Sequence, residues 1–381
     1  MPIDFKSLLS SITAIHKGGD IIGVDIGRSS VKIAKIKRSG SSLIFTNGGI
    51  IPIPVAANPS AEMTPEEYDG IARSVRQFLS SKGIKSGVAA TSVMGNSVIV
   101  RYVKFPKMSH DELAKSLRFE AEEFIPFDIT DVYLSVELVR DVEEEGQPKM
   151  EAILVAAKKD IVDGKIEILK SMGLDPLIID VDGFCVNNLY EYCHPECAEQ
   201  NIMLLNIGAQ MTTLLISDGG VVRVVRDIPF GGNMLTNLVM NTFACDFSQA
   251  EALKKQHGIV PSAELETLSD AETAEQVTTS LIQAIDEQLH TEIQRSIDYF
   301  NTISASAEEI SKIVLTGGGA RLKNLDKYLN RQMDIPVEVF NPLEFIQHGD
   351  DEELVNNASA FSVAIGLALR KAGDSNAIRA V

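Results

Sequence analysis

The chain has 381 residues, 45% hydrophobic and 23% charged, the balance of an ordinary globular protein long enough for two domains or lobes. Its 53 acidic against 35 basic residues leave a formal charge of −18, which argues against nucleic acid or an anionic membrane surface as a partner. No run approaches about eighteen apolar residues, no basic stretch precedes an apolar one at the start, and Cys185, Cys193, Cys197 and Cys245 form no paired framework, so a reduced, non-spanning protein is expected.

Ile3, Phe5, Leu8, Leu9, Ile12 and Ile15 fall on one face of a short helix, expected to fold onto the body because its polar face carries little charge. Next comes IIGVDIGRSSVKIAKI, residues 21–36: a buried strand ending near Val24, a polar turn, and a second strand marked by Val31, Ile33 and Ile36. Gly27 permits a tight turn, and exposed amides with Ser29 and Ser30 offer donors to an anion. Lys32 adds a compact charge for the same anion, while Asp25 suits the water shell of a divalent cation. KRSGSS turns into a third strand, and a proline-rich loop follows. Thr64 then reads as an N-cap with Pro65 in the first turn, for a helix ending at Gly83. Residues 87–158 read as a compact insertion of strands around one helix. Ser109 and Glu112 form a capping box, the helix runs toward Phe124, and EEEGQP tips a hairpin. GKIEILKSMG is a helix stopped by Gly173, and LDPLIIDVDGFCVNNLY passes from strand to helix. CHPEC around His194 has no second ligand pair elsewhere and reads as structural.

From Ile202 the order of the first hairpin recurs. IMLLNIGAQMTTLLISDGG places Asn206 where the first copy has Asp25, followed again by Ile-Gly, a polar turn and two further strands. Two such hairpins presenting amides to one cleft would clamp a polyphosphate. Phe247 opens a short amphipathic helix carrying Glu251, Lys254 and Lys255. Val277, Leu281, Ile285, Leu289, Ile293 and Ile297 then mark a long core-facing helix rather than a coiled coil. A strand from Lys312 ends in Gly317, Gly318 and Gly319, expected to open a helix and leave room for a flat ring. ASAFSVAIGLALRKAG is apolar nearly all round, hence a buried helix, and the segment after Gly373 is expected to be loose.

Hairpin, second hairpin and GGG, in that order, resemble the actin-like ATPase superfamily. Within it VDIGRSSVKIAKI, FPKMSHDELAKSLRFEAEEFIPFDITDV, NIGAQMTTLLI, PFGG, AEALKKQHG, TGGGARLKNL and FSVAIGLALR resemble the PilM family of type IV pilus assembly, from about residue 20 to 371. The resemblance implies a duplicated, ribonuclease H-like two-lobe α/β fold with an inserted subdomain of the FtsA type. It implies a first lobe of 1–86 and 159–200, an insertion of 87–158, a second lobe of 201–360, and a helix and tail of 361–381 returning to the first lobe. It implies ATP and Mg²⁺ as cofactors. Asp25, Gly27, Ser29, Ser30 and Lys32 would face the phosphates from one lobe, and Gly208, Gln210 and Thr212 from the other. Glu251 would accept from the ribose, Lys254 and Lys255 would flank the base, and Gly232 with Gly317, Gly318 and Gly319 would bracket the nucleoside. Asp25 and Asn206 would hold the metal through water. The family's second hairpin normally begins with aspartate, so Asn206 implies ATP binding with weak or absent hydrolysis, unless Asp180 or Asp182 compensates.

The implied role is a cytoplasmic component, peripheral to the inner membrane through its partners. It would capture the N-terminal tail of a PilN-like protein and work with the motor ATPases, in a ring-like assembly. An FtsA-like division protein is the alternative, although the polar DSNAIRAV is unlike FtsA's membrane helix. A small-molecule kinase, a filament former and a chaperone ATPase are the remaining readings; the last lacks the length for a peptide-binding domain.

Overall fold

The apolar run at Ile21 forms β1 (Ile22–Ile26), which turns at Gly27 into β2 (Ser30–Ser39) and then β3 (Ser42–Pro52). This architecture is seen in a computed structural model that describes residues 20–40, 42–54, 64–84, 87–304, 309–371 and 378–379. The helix expected over residues 3–15, and most of the segment after Gly373, lie outside those residues. Antiparallel pairing of β1 with β2 sets Asp25 opposite Lys32. Helix α1 (Pro65–Ser81) begins at a capping box between Thr64 and Glu67 and stops before Gly83, whose φ is +72°. Strand β4 (Val88–Val93) returns parallel to β1.

The insertion follows. Strand β5 (Val98–Pro106), helix α2 (His110–Ala121) and the hairpin of β6 (Val132–Glu144) and β7 (Gln147–Lys158) enclose a core of their own around Phe105, Leu113, Leu117, Leu134 and Leu154. The hairpin turns on Glu145 and Gly146, both at positive φ, as a two-residue turn of this hand requires. Helix α2 ends sooner than expected, passing at Ala121 into a single tighter turn over Glu122–Phe124. Pro126 explains the stop, because it holds Ile125 in extended backbone.

Helix α3 (Lys159–Ser171), strand β8 (Asp175–Val181) and helix α4 (Asp182–Cys193) complete the first half. The second half runs β9 (Ile202–Ile207), β10 (Thr212–Asp218), β11 (Val221–Ile228), α5 (Gly232–Phe243), α6 (Phe247–His257), α7 (Ala271–Ala284) and α8 (Thr291–Ile303). Then come β12 (Lys312–Thr316), α9 (Leu325–Met333), β13 (Val337–Val339), β14 (Ile346–Gln347), α10 (Ser362–Ala368) and β15 (Ile378–Arg379). One sheet has the order β14-β3-β2-β1-β4-β8 and the other β11-β10-β9-β12-β13. Apart from β14, the two match strand for strand: an antiparallel meander of three, then two parallel strands. That is the duplication the repeated hairpin sequence implies. Strand β14 pairs with β3, so the chain rejoins the first sheet before α10.

The stripe from Val277 to Ile297 recurs every four residues, slightly more than the 3.6 of an α-helix, and would drift off the core. A wider turn over Ile285–His290, between α7 and α8, takes up the excess and keeps Val277, Leu281, Ile285, Leu289 and Ile293 fully buried. The glycine run after β12 does not open a helix directly. It enters a single turn, Gly319–Arg321, and α9 starts only after Asn324, a left-handed residue at φ +61°.

Helices α4 and α10 lie between the sheets: α10 packs on β1, β2 and β4, and α4 on β9 and β10. Every residue of α10 is buried. Contact between the two helices is backbone to backbone, because a methyl group at Gly366 would overlap the carbonyl of Cys185. Gly23 on β1 stands in the same relation to the carbonyl of Ala364. Gly366→Ala therefore should destabilise by about 1–3 kcal/mol from overpacking, despite alanine's better helix propensity. Gly164→Ala in α3, where an added methyl meets nothing within 4 Å, should be neutral or gain up to about 1 kcal/mol. Urea midpoints of the two variants decide between overpacking and propensity.

Candidate functional site

At the first hairpin the Lys32 ammonium lies 3.1 Å from Asp25, with 14% and 13% of the two side chains exposed. The Gly27 amide donates to the Ser30 carbonyl at 3.2 Å, and the Ser29 carbonyl accepts from Ile53 at 2.9 Å. Ser29 is exposed at the turn, while Ser30 is buried. The turn is thus braced from beneath, with Lys32 held against the carboxylate beside it.

At the second hairpin the Gly208 amide donates to Met211 at 2.9 Å, and Gly208's carbonyl accepts from Gly232 at 3.0 Å. That bond ties the turn to the start of α5. Thr212 is fully buried and donates its hydroxyl to the Phe230 carbonyl at 2.8 Å, so it braces the turn from within. Gln210, on the turn, borders an open cavity of about 380 Å³ shared with Asn233 and Asn237. Asn206 pairs with Thr316 on β12 and lies against Gly317, where a side chain would come within 2.5 Å of its Oδ1. Gly317, at φ +82°, and Gly319 are glycines because β9 passes so close; only Gly318 faces open space.

Glu251 and Lys254 form the third part. The Lys254 ammonium is 2.6 Å from Glu251, 2.8 Å from the Thr236 hydroxyl and 2.9 Å from the Gly232 carbonyl. Lys254 is buried in this network and ties α6 to the start of α5, while exposed Lys255 reaches Glu251 at 3.1 Å. Burial pushes the Glu251 carboxyl up, but Lys254, its hydrogen bonds and Lys255 outweigh that and hold it below the usual carboxylate range.

Several further charged groups gather near Asp25. Asp182, the first residue of α4, is buried, and burial together with the charge of Asp25 pushes its carboxyl up to about 7, against a hydrogen bond from Ser92 and the charge of Lys165. Lys165 on α3 is pushed down by burial and drawn back by Asp182 and Asp25. Asp227 on β11 accepts from the Gly95 amide at 2.7 Å and the Thr213 hydroxyl at 2.6 Å, and burial raises its carboxyl. Asp180 differs from Asp182: it is bound to Arg370 at 2.6 Å and to the Val181 amide at 2.8 Å. Of the two acids considered as compensating for Asn206, Asp182 is therefore the one coupled to Asp25. Asp25, Asp182 and Asp227 are hard oxygen donors of the kind Mg²⁺ takes, and their mutual repulsion would be relieved by a cation.

Outside the cleft, His194, Glu196 and Cys197 bring three ligand-type atoms within 4.8 Å of one another. His194 is already hydrogen-bonded to Glu196 at 2.8 Å and packed among Tyr190, Phe340 and Phe345, which fits a structural role.

Two sheets of matching strand order, a turn at the same place in each, and a glycine-rich strand end beside the second turn define an actin-like two-lobe ATPase fold. Residues 23–372 match the family described as type IV pilus assembly protein PilM, and the chain belongs to that family. Among solved structures it is similar to a chain of the PilM–PilN type IV pilus biogenesis complex, at 25% identity and a TM-score of 0.76, covering 92% of this chain and 98% of that one. MreB5 of Spiroplasma citri bound to ADP shares the fold at 13% identity and a TM-score of 0.51, over 91% of this chain and 94% of that one. The cell division protein FtsA of Escherichia coli K12 is 24% identical over 188 residues, 44% of this chain and 43% of that protein. The match thus spans less than half of FtsA. Among the described residues, no helix is long and apolar enough to cross a membrane.

Asp182 gives the site a pH signature. Its carboxyl titrates near 7 folded and near 4 unfolded, so the unfolded chain loses the proton first and stability falls as pH rises from about 4 to about 7, then levels. Asp182→Asn should remove that loss. The thermal midpoint of the variant, relative to wild type, should rise between about pH 5.5 and about pH 8.5.

Proposed function

We propose that this protein is a nucleotide-loaded cytoplasmic platform of type IV pilus assembly, which captures the N-terminal tail of a PilN-like inner-membrane protein. The observation that carries this reading is the likeness, over 92% of the chain, to the PilM–PilN complex. The insertion, with its own core, is the part of the fold set apart from the hairpins, and it takes the tail. The chain is peripheral to the membrane through that partner, and the motor ATPases and a ring-like assembly belong to the same reading. So does the division into 1–86 with 159–200, 87–158, 201–360 and 361–381, except that Val88–Val93 and Ile346–Gln347 are strands of the first sheet.

ATP with Mg²⁺ is the cofactor, as nucleotide is in the similarly folded MreB5. Asp25, Gly27, Ser29, Ser30 and Lys32 face the phosphates on one side, and Gly208, Gln210 and Thr212 on the other. Glu251 takes the ribose, with Lys254 and Lys255 near the base and Gly232, Gly317, Gly318 and Gly319 around the nucleoside. Asp25 and Asn206 would hold a metal through water, and it would supply charge neutralisation for the phosphates. Asn206 contributes a neutral oxygen, so placement of an attacking water is weakened more than binding. A division role of the FtsA kind is a second reading, supported by the FtsA match over 44% of the chain.

Two measurements test this reading. A labelled N-terminal peptide of the PilN-like protein from the same genome should bind in a fluorescence titration, more tightly with ATP and Mg²⁺ present. Lys32→Ala should weaken ATP by about 1.5–3 kcal/mol and remove that enhancement; no binding, with or without nucleotide, would sink the platform role. In single-turnover experiments the wild type should hydrolyse ATP slowly, and Asn206→Asp should speed it while Asp180→Asn changes nothing. Fast turnover in the wild type, unaltered by the aspartate, would show that Asn206 does not limit the chemistry.

A further inference from the structure

The sheet of the insertion has two edges, and they are closed in different ways. On the β5 side, β11 packs alongside, and buried Arg223 reaches across it, 4.3 Å over the Tyr102 ring and 3.8 Å from Glu151. On the β6 side, the described residues place only Ile378 and Arg379 against the edge, antiparallel and opposite Val136 and Ser135. Helix α2 runs along the same two residues, so β15 lies in a groove between a helix and a strand edge.

Strand β15 covers Ser135 and Val136, within the most adhesive stretch of β6. Residues 132–138 read VYLSVEL, strand-prone with one charge, whereas Arg140, Asp141, Glu143 and Glu144 guard the far end. A bare edge of that composition recruits another strand. Two paired residues make few main-chain bonds, which suits an occupant that can leave.

We infer that the outer edge of β6 is a strand-accepting surface, held by this chain's own segment around Ile378–Arg379 as an exchangeable strand. Main-chain pairing of an extended segment supplies the affinity. The inference stands apart from which protein supplies a competing strand, and its test uses none.

The probe is a fluorescein-labelled peptide of residues 374–381, DSNAIRAV, titrated into the full chain and into a chain truncated after Lys371. The truncation leaves α10 intact. The peptide should bind the truncated chain and bind the full chain at least about tenfold more weakly, because a tethered strand competes at an effective concentration of about a millimolar. Hydrogen exchange of amides within 132–138 should speed up on truncation and slow again when the peptide is added. Equal peptide affinity for the two chains, or exchange in β6 unchanged by truncation, would overturn the inference.

Discussion

The rest of the structure depends on how closely α4 and α10 approach each other between the two sheets. Each sheet is apolar on its inner face and needs a layer to cover it. A single helix pair serves both, and its backbones can touch only because position 366 has no side chain. Gly23 allows the same intimacy between α10 and β1. Close packing of this kind transmits displacement instead of absorbing it, so the relative position of the two hairpins follows from a few atoms in the middle of the molecule.

That position brings acids together. Asp25 comes from the first sheet, Asp182 from the start of α4 and Asp227 from β11, and the field of the other two adds to burial in holding Asp182 near half-protonation at neutral pH. Lys32 and Lys165 offset part of the cost.

The insertion is not an independent appendage. Glu151, almost fully buried on β7, accepts from Tyr102 and from Arg140 at 2.7 Å, and Arg223 of the second sheet completes its surroundings. Burial and the bond to Glu151 push the Tyr102 hydroxyl up to about 12, so it stays a donor. Asp227 makes a second link, taking the Gly95 amide at the entrance to the insertion. Arg223 and Asp227 both lie on β11, the last strand of the second meander. Movement of that hairpin would therefore be felt in the insertion through charged, desolvated contacts, which tolerate misalignment poorly.

Much of this was written locally in the sequence. The capping boxes at Thr64, Ser109 and Asp246 are contacts across three residues, the turn glycines act on their own backbone, and the repeated hairpin carried the duplicated sheet with it. Asp25, Lys32, Asn206 and Glu251 stood out because residue type and spacing suffice to mark a repeated hairpin turn or a helix face. Lys165 did not, being one more lysine on an amphipathic helix, nor did Asp227 on a strand with no motif. The glycines were legible as glycines but not by their reasons: Gly317 and Gly319 answer to β9, and Gly366 to Cys185. Local chemistry fixes which elements form. Which acids share a cleft, which edge of β6 is left to a passing strand, and which backbones touch depend on elements far apart in the chain, and only their packing decided it.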